Sequence, residues 1–247
     1  MSRLKSGMGW AFVAALMFGA GIAQGAEITV NANLGDGEVG VAGLLAAQDG
    51  GGATSNQAKN GTLLSGMYKT TGISPVFIFQ LPTLADGETL IGSHLDVTVS
   101  RAGATAFNSD LYGLSARSTN ALQGQDFYAG DLDTTDATLL QEDQLTPSSA
   151  TTATRTGTSV LGDTALLAYL NQQYLTQGPG AYVFLRYSPD FTTAPTATSS
   201  FGYAISSAET SAHPVLTLTT AQTPEPTSLT LLAGCGLLTL CRRRRDR

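Results

Sequence analysis

The stretch that decides the fold runs from Ser74 to Arg101: SPVFIFQLPTLADGETLIGSHLDVTVSR. Its first run, SPVFIFQL (74–81), sets Val76 and Ile78 against Phe77 and Phe79. Successive strand residues point to opposite faces, so this run is apolar on both and predicts a central strand covered on each side. The second run, TLIGSHLDVTVSR (89–101), carries Leu95, Val97 and Val99 on one face and Asp96 and Thr98 on the other. That is the alternation of a strand with one dry face and one wet face. Pro82 and the pair Asp86-Gly87 separate the two runs with turn chemistry.

Working outward, further strands are expected in EITVNAN (27–33), NSDLYGLSAR (108–117), AYVFLRYS (181–188), FGYAIS (201–206) and PVLTLTT (214–220). One segment, TALLAYLNQQYLTQ (164–177), has helical spacing at Leu166, Leu167, Leu170 and Tyr174, with Asp163 as its expected N-cap and Gly178 as its stop. Two Ser/Thr-rich stretches, 146–159 and 191–200, read as extended loops or exposed strands, with disorder or O-glycosylation as the alternative. Many short strands bounded by turn signals predict an all-β domain over 26–222, a β-sandwich of jelly-roll type with one short helix.

Both ends have a different character. Arg3 and Lys5 precede an uncharged run from Trp10 to Ala23, and Ala23-Gln24-Gly25 places small residues at a cleavage site after Gly25. Residues 1–25 therefore read as a secretory signal peptide handled by the Sec export machinery. At the other end Pro224-Glu225-Pro226 is followed by the apolar run Ser228–Cys241 and then Arg242, Arg243, Arg244 and Arg245. That run is short of the ~20 residues a full span needs. The arginines would hold it from the cytoplasmic side as a stop-transfer device, with an ordinary C-terminal anchor as the alternative.

These three parts in order, over residues 223–247, resemble the PEP-CTERM sorting signal. The resemblance implies recognition of Pro224, Glu225 and Pro226 by an exosortase, a membrane protease that removes the tail. It further implies a Gram-negative bacterium, transient anchoring in the inner membrane, and a final place at the cell surface or in an extracellular, exopolysaccharide-rich biofilm matrix. Separately, SPVFIFQLPTLADGETLIGSHLDVTV resembles the core of DNRLRE-type, carbohydrate-binding-module-like jelly rolls. Phe79, Leu81, Pro82, Gly87, Leu90, Ile91 and Leu95 match, and Gln80 stands where that family has Asp. NSDLYGLSAR, with Asp110, Leu111 and Tyr112, is similar to the strand that follows.

Removing the ends changes the composition. The whole chain has 247 residues and a net charge of −6, but the body over 26–222 has six basic and seventeen acidic residues, hence −11. A chain that is 42% hydrophobic is no disordered polymer, and an acidic body excludes a basic nucleic-acid binder. Cys235 and Cys241 and the lone Trp10 all lie in the ends, so the body has no thiol nucleophile and no Cys-built zinc site. GDGEVG (35–40) fits the dinucleotide fingerprint literally, yet Asp36 and Glu38 would repel a pyrophosphate, and a tight turn is the better reading.

Three candidate chemistries remain. Asp131, Asp133 and Asp136, within an acidic stretch that also holds Asp126, Glu142 and Asp143, offer oxygens for a structural calcium ion, with a solvated acidic surface as the alternative. Otherwise no cofactor is expected. His94 and His213 are isolated, and Ser93 beside His94 points to the other face of a strand, so no catalytic pair is expected there. Tyr68, Tyr112, Tyr128, Tyr174, Tyr182, Tyr187 and Tyr203 could supply sugar-stacking rings, though strand aromatics are more often core. The leading expectation is a surface or matrix protein without catalytic activity. The alternatives are a carbohydrate-binding module for exopolysaccharide and a secreted glycoside hydrolase or lyase acting through a carboxylate pair.

Overall fold

The computed structural model describes residues 25–42, 54–57, 61–68, 71–103, 107–127, 137–189 and 201–222. Among them lie twelve strands: β1 (Ala26–Asn31), β2 (Gly37–Ala42), β3 (Thr54–Gln57), β4 (Thr62–Tyr68), β5 (Thr71–Gln80), β6 (Glu88–Ala102), β7 (Ser109–Arg117), β8 (Ala137–Leu145), β9 (Thr154–Gly157), β10 (Tyr182–Pro189), β11 (Phe201–Ser206) and β12 (Val215–Gln222). Helix α1 (Val160–Gln177) joins β9 to β10, and a single 3-10 turn (Gly124–Phe127) follows β7. All the pairings between these strands are antiparallel. The protein is thus mostly antiparallel β-sheet with one helix, as its strand patterning predicts.

β5 and β6, the two strands of the deciding stretch, organise the rest. One edge of β5 pairs with β2, while the opposite edge is shared by β4 near Thr71–Ile73 and by β10 from Val76 to Gln80. β6 behaves alike: β9 lies on one edge, and β12 and β11 divide the other, along Glu88–Asp96 and Val99–Ala102. β4 and β11 pair with each other and carry the ladder from β5 to β6. β1 flanks β12, β3 flanks β2, and β7 with β8 flanks β10.

The two faces of β5 are both buried, as its sequence requires. Phe77 and Phe79 join Leu95, Val97 and Val99 of β6, Val183 and Leu185 of β10, and Leu216 and Leu218 of β12 in the main core. Val76 and Ile78 point the other way, to Val39, Leu114, Leu122, Phe127 and Phe184. Each such side chain contributes roughly 1.5–3 kcal/mol by leaving water. In β6 the alternation is phased by a bulge: the register with β12 slips between Thr219 and Thr220, so Leu90 and Leu95 are both buried although five residues apart. The extra residue turns Ile91 outward, where it is 54% exposed.

The helix departs from expectation at its start. It begins at Val160, and its N-cap is Ser159, whose Oγ accepts the Gly162 N–H at 3.2 Å. Asp163 lies one turn inside, its carboxylate occupied by other partners. Leu166 and Leu170 are buried as their spacing predicts, and Tyr169, which the spacing argument passed over, is buried with them. Its hydroxyl donates to the Leu114 carbonyl at 2.5 Å, and its ring lies over Gly113, where a Cβ would stand 2.6 Å away. Gly178, at φ +81°, ends the helix where expected.

One other reading is revised and one is settled between its alternatives. Within GDGEVG the turn is confined to the residues before Gly37, and Gly37–Ala42 is strand β2, because its backbone completes the free edge of β5. The Thr-rich stretch 146–159 contains an ordered edge strand, β9, held by β6. The stretch 191–200 lies outside the described residues. No helix among the described residues is long and apolar enough to cross a membrane.

Candidate functional site

Where β9 ends, no further strand among the described residues pairs with that edge of β6. Thr158 takes over: its N–H donates to the Leu95 carbonyl at 2.9 Å, and its Oγ1 accepts the Leu95 N–H at 3.0 Å. The first turn of α1 then lies against β6 and leaves a groove of about 300 Å³, lined in part by Ile91, His94, Val160, Asp163, Thr217 and Thr219.

His94 stands at the head of this groove between two carboxylates. Its Nδ1 is 2.9 Å from Asp163 Oδ1 on the helix, and its Nε2 is 3.6 Å from Asp96 Oδ1 on its own strand. Asp163 also accepts the Thr158 hydroxyl, and Asp96 accepts Arg155 Nη2 at 3.0 Å. Ser93 lines the same groove, and its hydroxyl donates to the Asp163 backbone carbonyl at 3.1 Å. A Cβ on Gly157 would collide with Nε2, so that nitrogen faces backbone and Asp96. Among the described residues no hydroxyl is hydrogen-bonded to Nε2, while the Thr158 hydroxyl lies 3.3 Å from Nδ1 and donates to Asp163, so the constellation joins strand, edge and helix.

Asp163→Ala removes the acceptor of both His94 and Thr158 and an acidic group in the first turn of the helix. The expected loss is about 1–2 kcal/mol of stability, measured by denaturant unfolding. A loss confined to a few tenths would mean that α1 docks through its apolar face alone.

A second polar cluster lies in the core. Arg186, 0% exposed on β10, donates through Nη1 to the carbonyls of Asp126 and Phe127, each at 2.6 Å, and its Cζ is 5.3 Å from the centre of the Tyr112 ring. Arg117 forms an ion pair with Asp126 and stacks 4.2 Å over the Phe184 ring. Asp126, expected in a solvated acidic stretch, is therefore a buried anchor.

Other candidates separate. Asp131, Asp133 and Asp136 lie outside the described residues, as do Pro224, Glu225, Pro226 and Arg242 to Arg245. Among the described residues no group of three or more His, Cys, Asp or Glu is arranged to hold a metal ion. His213 bonds the Thr210 carbonyl through Nδ1 at 3.0 Å, just before β12 begins. Tyr187 and Tyr203 are buried, and burial pushes the pKa of both phenols up, that of Tyr203 to about 12. Tyr174 donates to the Pro82 carbonyl at 2.8 Å.

Sequence reasoning missed Arg186, Tyr169 and the His94–Asp163 pair. The first had a signal: in AYVFLRYS, Arg186 shares the face of Phe184 in a strand otherwise apolar. The last had none, because 69 residues separate the partners. No family model matches the chain, and no curated protein matches it.

Proposed function

We propose that this chain is an exported cell-surface or extracellular-matrix protein, delivered by a signal peptide and a PEP-CTERM-type tail and serving through its folded body without catalysis. The observation that carries this reading is the order of parts at the two ends: basic residues, apolar run and small-residue site at the start, then Pro224-Glu225-Pro226, apolar run and arginine cluster at the end. β1 begins at Ala26, directly after the expected cleavage site, and β12 ends at Gln222, directly before the sorting segment. The first and last described strands pair with each other, Ala26 opposite Thr220, so β1 and β12 lie side by side.

We read the body as a β-sandwich of jelly-roll type. Support comes from the divided edges of β5 and β6 and from the core that their inward residues share. A carbohydrate-binding role gains little from the described tyrosines. Tyr169, Tyr187 and Tyr203 are buried, and Tyr112 faces Arg186.

The test is Glu225→Ala in the native host. The variant is expected to stay full-length and membrane-bound, seen by immunoblot of fractionated cells, while the wild type is shortened and released. Unchanged processing and unchanged release would overturn the sorting assignment.

A further inference from the structure

The chain has three Asp-Gly steps, Asp36-Gly37, Asp49-Gly50 and Asp86-Gly87. Such a step is open to attack of the glycine nitrogen on the preceding side chain, because glycine brings no Cβ to obstruct it. Asp49-Gly50 lies outside the described residues, and the structure treats the other two in opposite ways. Asp36 is wholly buried, and its N–H donates to the Asn33 carbonyl at 2.9 Å. Gly37 opens β2, paired with Gln57 on one side and Val76 on the other. Asp86 and Gly87, by contrast, are the two central residues of a β-turn between β5 and β6. The turn is closed at its ends, where the Glu88 N–H donates to the Ala85 carbonyl at 2.9 Å and the Ala85 N–H to Glu88 Oε2 at 3.1 Å. Its middle is exposed at both residues, with Gly87 at φ +78°. Among the described residues nothing hydrogen-bonds the Gly87 N–H or the Asp86 carboxylate. The related Asn60-Gly61 step, where ammonia would be the leaving group, has its Gly61 N–H committed to Ser207 Oγ at 3.0 Å.

We infer that Asp86 is a covalent modification site, where the side chain isomerises to isoaspartate through a cyclic imide with Gly87 and without an enzyme. The Gly87 nitrogen attacks Asp86 Cγ, the N–Cγ bond forms, and the carboxyl OH departs with the amide proton as one water. A second water opens the five-membered ring. Attack at the Asp86 backbone carbonyl leaves Gly87 joined to the side-chain carbon, which is isoaspartate, and attack at the other carbonyl restores aspartate. Mass, charge and oxidation state are unchanged, but the backbone now runs through Cβ and gains one carbon between the two central strands. Chemistry alone would favour the other step, because the protonated acid is the reactive form and burial keeps Asp36 protonated to about pH 7. Gly37 is held in the sheet, however, so reaction there waits for local opening.

Peptide mapping of the purified full chain, held at neutral pH for weeks, tests the site. A parallel sample unfolded in guanidinium runs until both Asp36 and Asp86 have reacted in it. The folded chain is expected to yield two tryptic peptides of equal mass over residues 70–101, between Lys69 and Arg101, with fragmentation placing the isoaspartyl bond at residue 86. The isoaspartyl fraction at Asp86 should exceed that at Asp36 by about tenfold or more, since a step locked in a sheet reacts only when opened. In guanidinium that difference should vanish. Asp86→Glu, which would have to close a six-membered ring, should leave the 70–101 peptide single and the urea midpoint unchanged. A single 70–101 peptide from the folded wild type, or a folded-state fraction at Asp36 equal to that at Asp86, would overturn the assignment.

Discussion

Arg186→Ala is expected to lower the stability of the fold by about 3–5 kcal/mol, read as a large fall in the urea midpoint of the full chain. Arg186 is wholly buried on β10, whose neighbours β5 and β7 set Val76 and Tyr112 opposite it, and its guanidinium donates to two backbone carbonyls at the end of the 3-10 turn. Alanine leaves those carbonyls without that donor and opens a cavity the neighbouring strands cannot fill. Loss of a buried hydrogen-bond partner costs about 1–3 kcal/mol, and the cavity adds to it. Arg186→Lys keeps the charge but not the planar fork, and should fall between. Arg101→Ala, on the exposed side of β6, should change stability by no more than ~0.5 kcal/mol. If Arg186→Ala unfolds at the wild-type midpoint, the buried arginine does not anchor the turn.

Stability is expected to fall as pH rises from about 4 to about 7, and Asp36 is the cause. Its carboxyl is 0% exposed at the seam where β11 and β12 part. Oδ2 accepts the Ala208 N–H at 2.9 Å, while Oδ1 is buried without a hydrogen-bond partner among the described residues. Burial pushes its pKa from 3.8 to about 7; the Ala208 hydrogen bond opposes the rise, and the nearby Glu209 charge adds to it. The folded chain therefore keeps a proton that the unfolded chain releases near 3.8. The contribution is whole below that value and is lost as pH climbs through about 7. At about 1.4 kcal/mol for each pH unit across the window, the loss reaches at most ~4 kcal/mol. Asp110, also raised by burial, acts in the same direction. Thermal unfolding of wild type and Asp36→Asn from pH 4 to pH 8 isolates the effect. The difference between them should slope across the window, and parallel curves would remove Asp36 from the account.

Much of the strand inventory was legible. Alternation in β6, the double-faced apolarity of β5 and the helical spacing around Leu166 and Leu170 all record which side of an element meets water. Strands β2, β3, β4 and β8 were not legible, and β9 only as part of a stretch open to either loop or exposed strand. Their sequences, GEVGVA and TRTG among them, have little periodicity, and they are strands because they complete edges that β5 and β6 offer. The N-cap was misplaced for a related reason: Asp163 and Ser159 both suit a cap by type, and His94 and Thr158, which claim Asp163, arrive from elsewhere in the chain or from the turn before it.

By itself, then, the sequence determined that this is mostly a β protein and which faces of its two central strands are dry. Periodicity is a local property, written residue by residue by contact with solvent. Only the tertiary structure decided how β5 and β6 divide their edges, that Arg186 and Asp36 are buried, and that His94 ties a strand to a helix. Those outcomes depend on groups as much as 172 residues apart, as with Asp36 and Ala208, and no local pattern encodes which distant partner satisfies a buried charge.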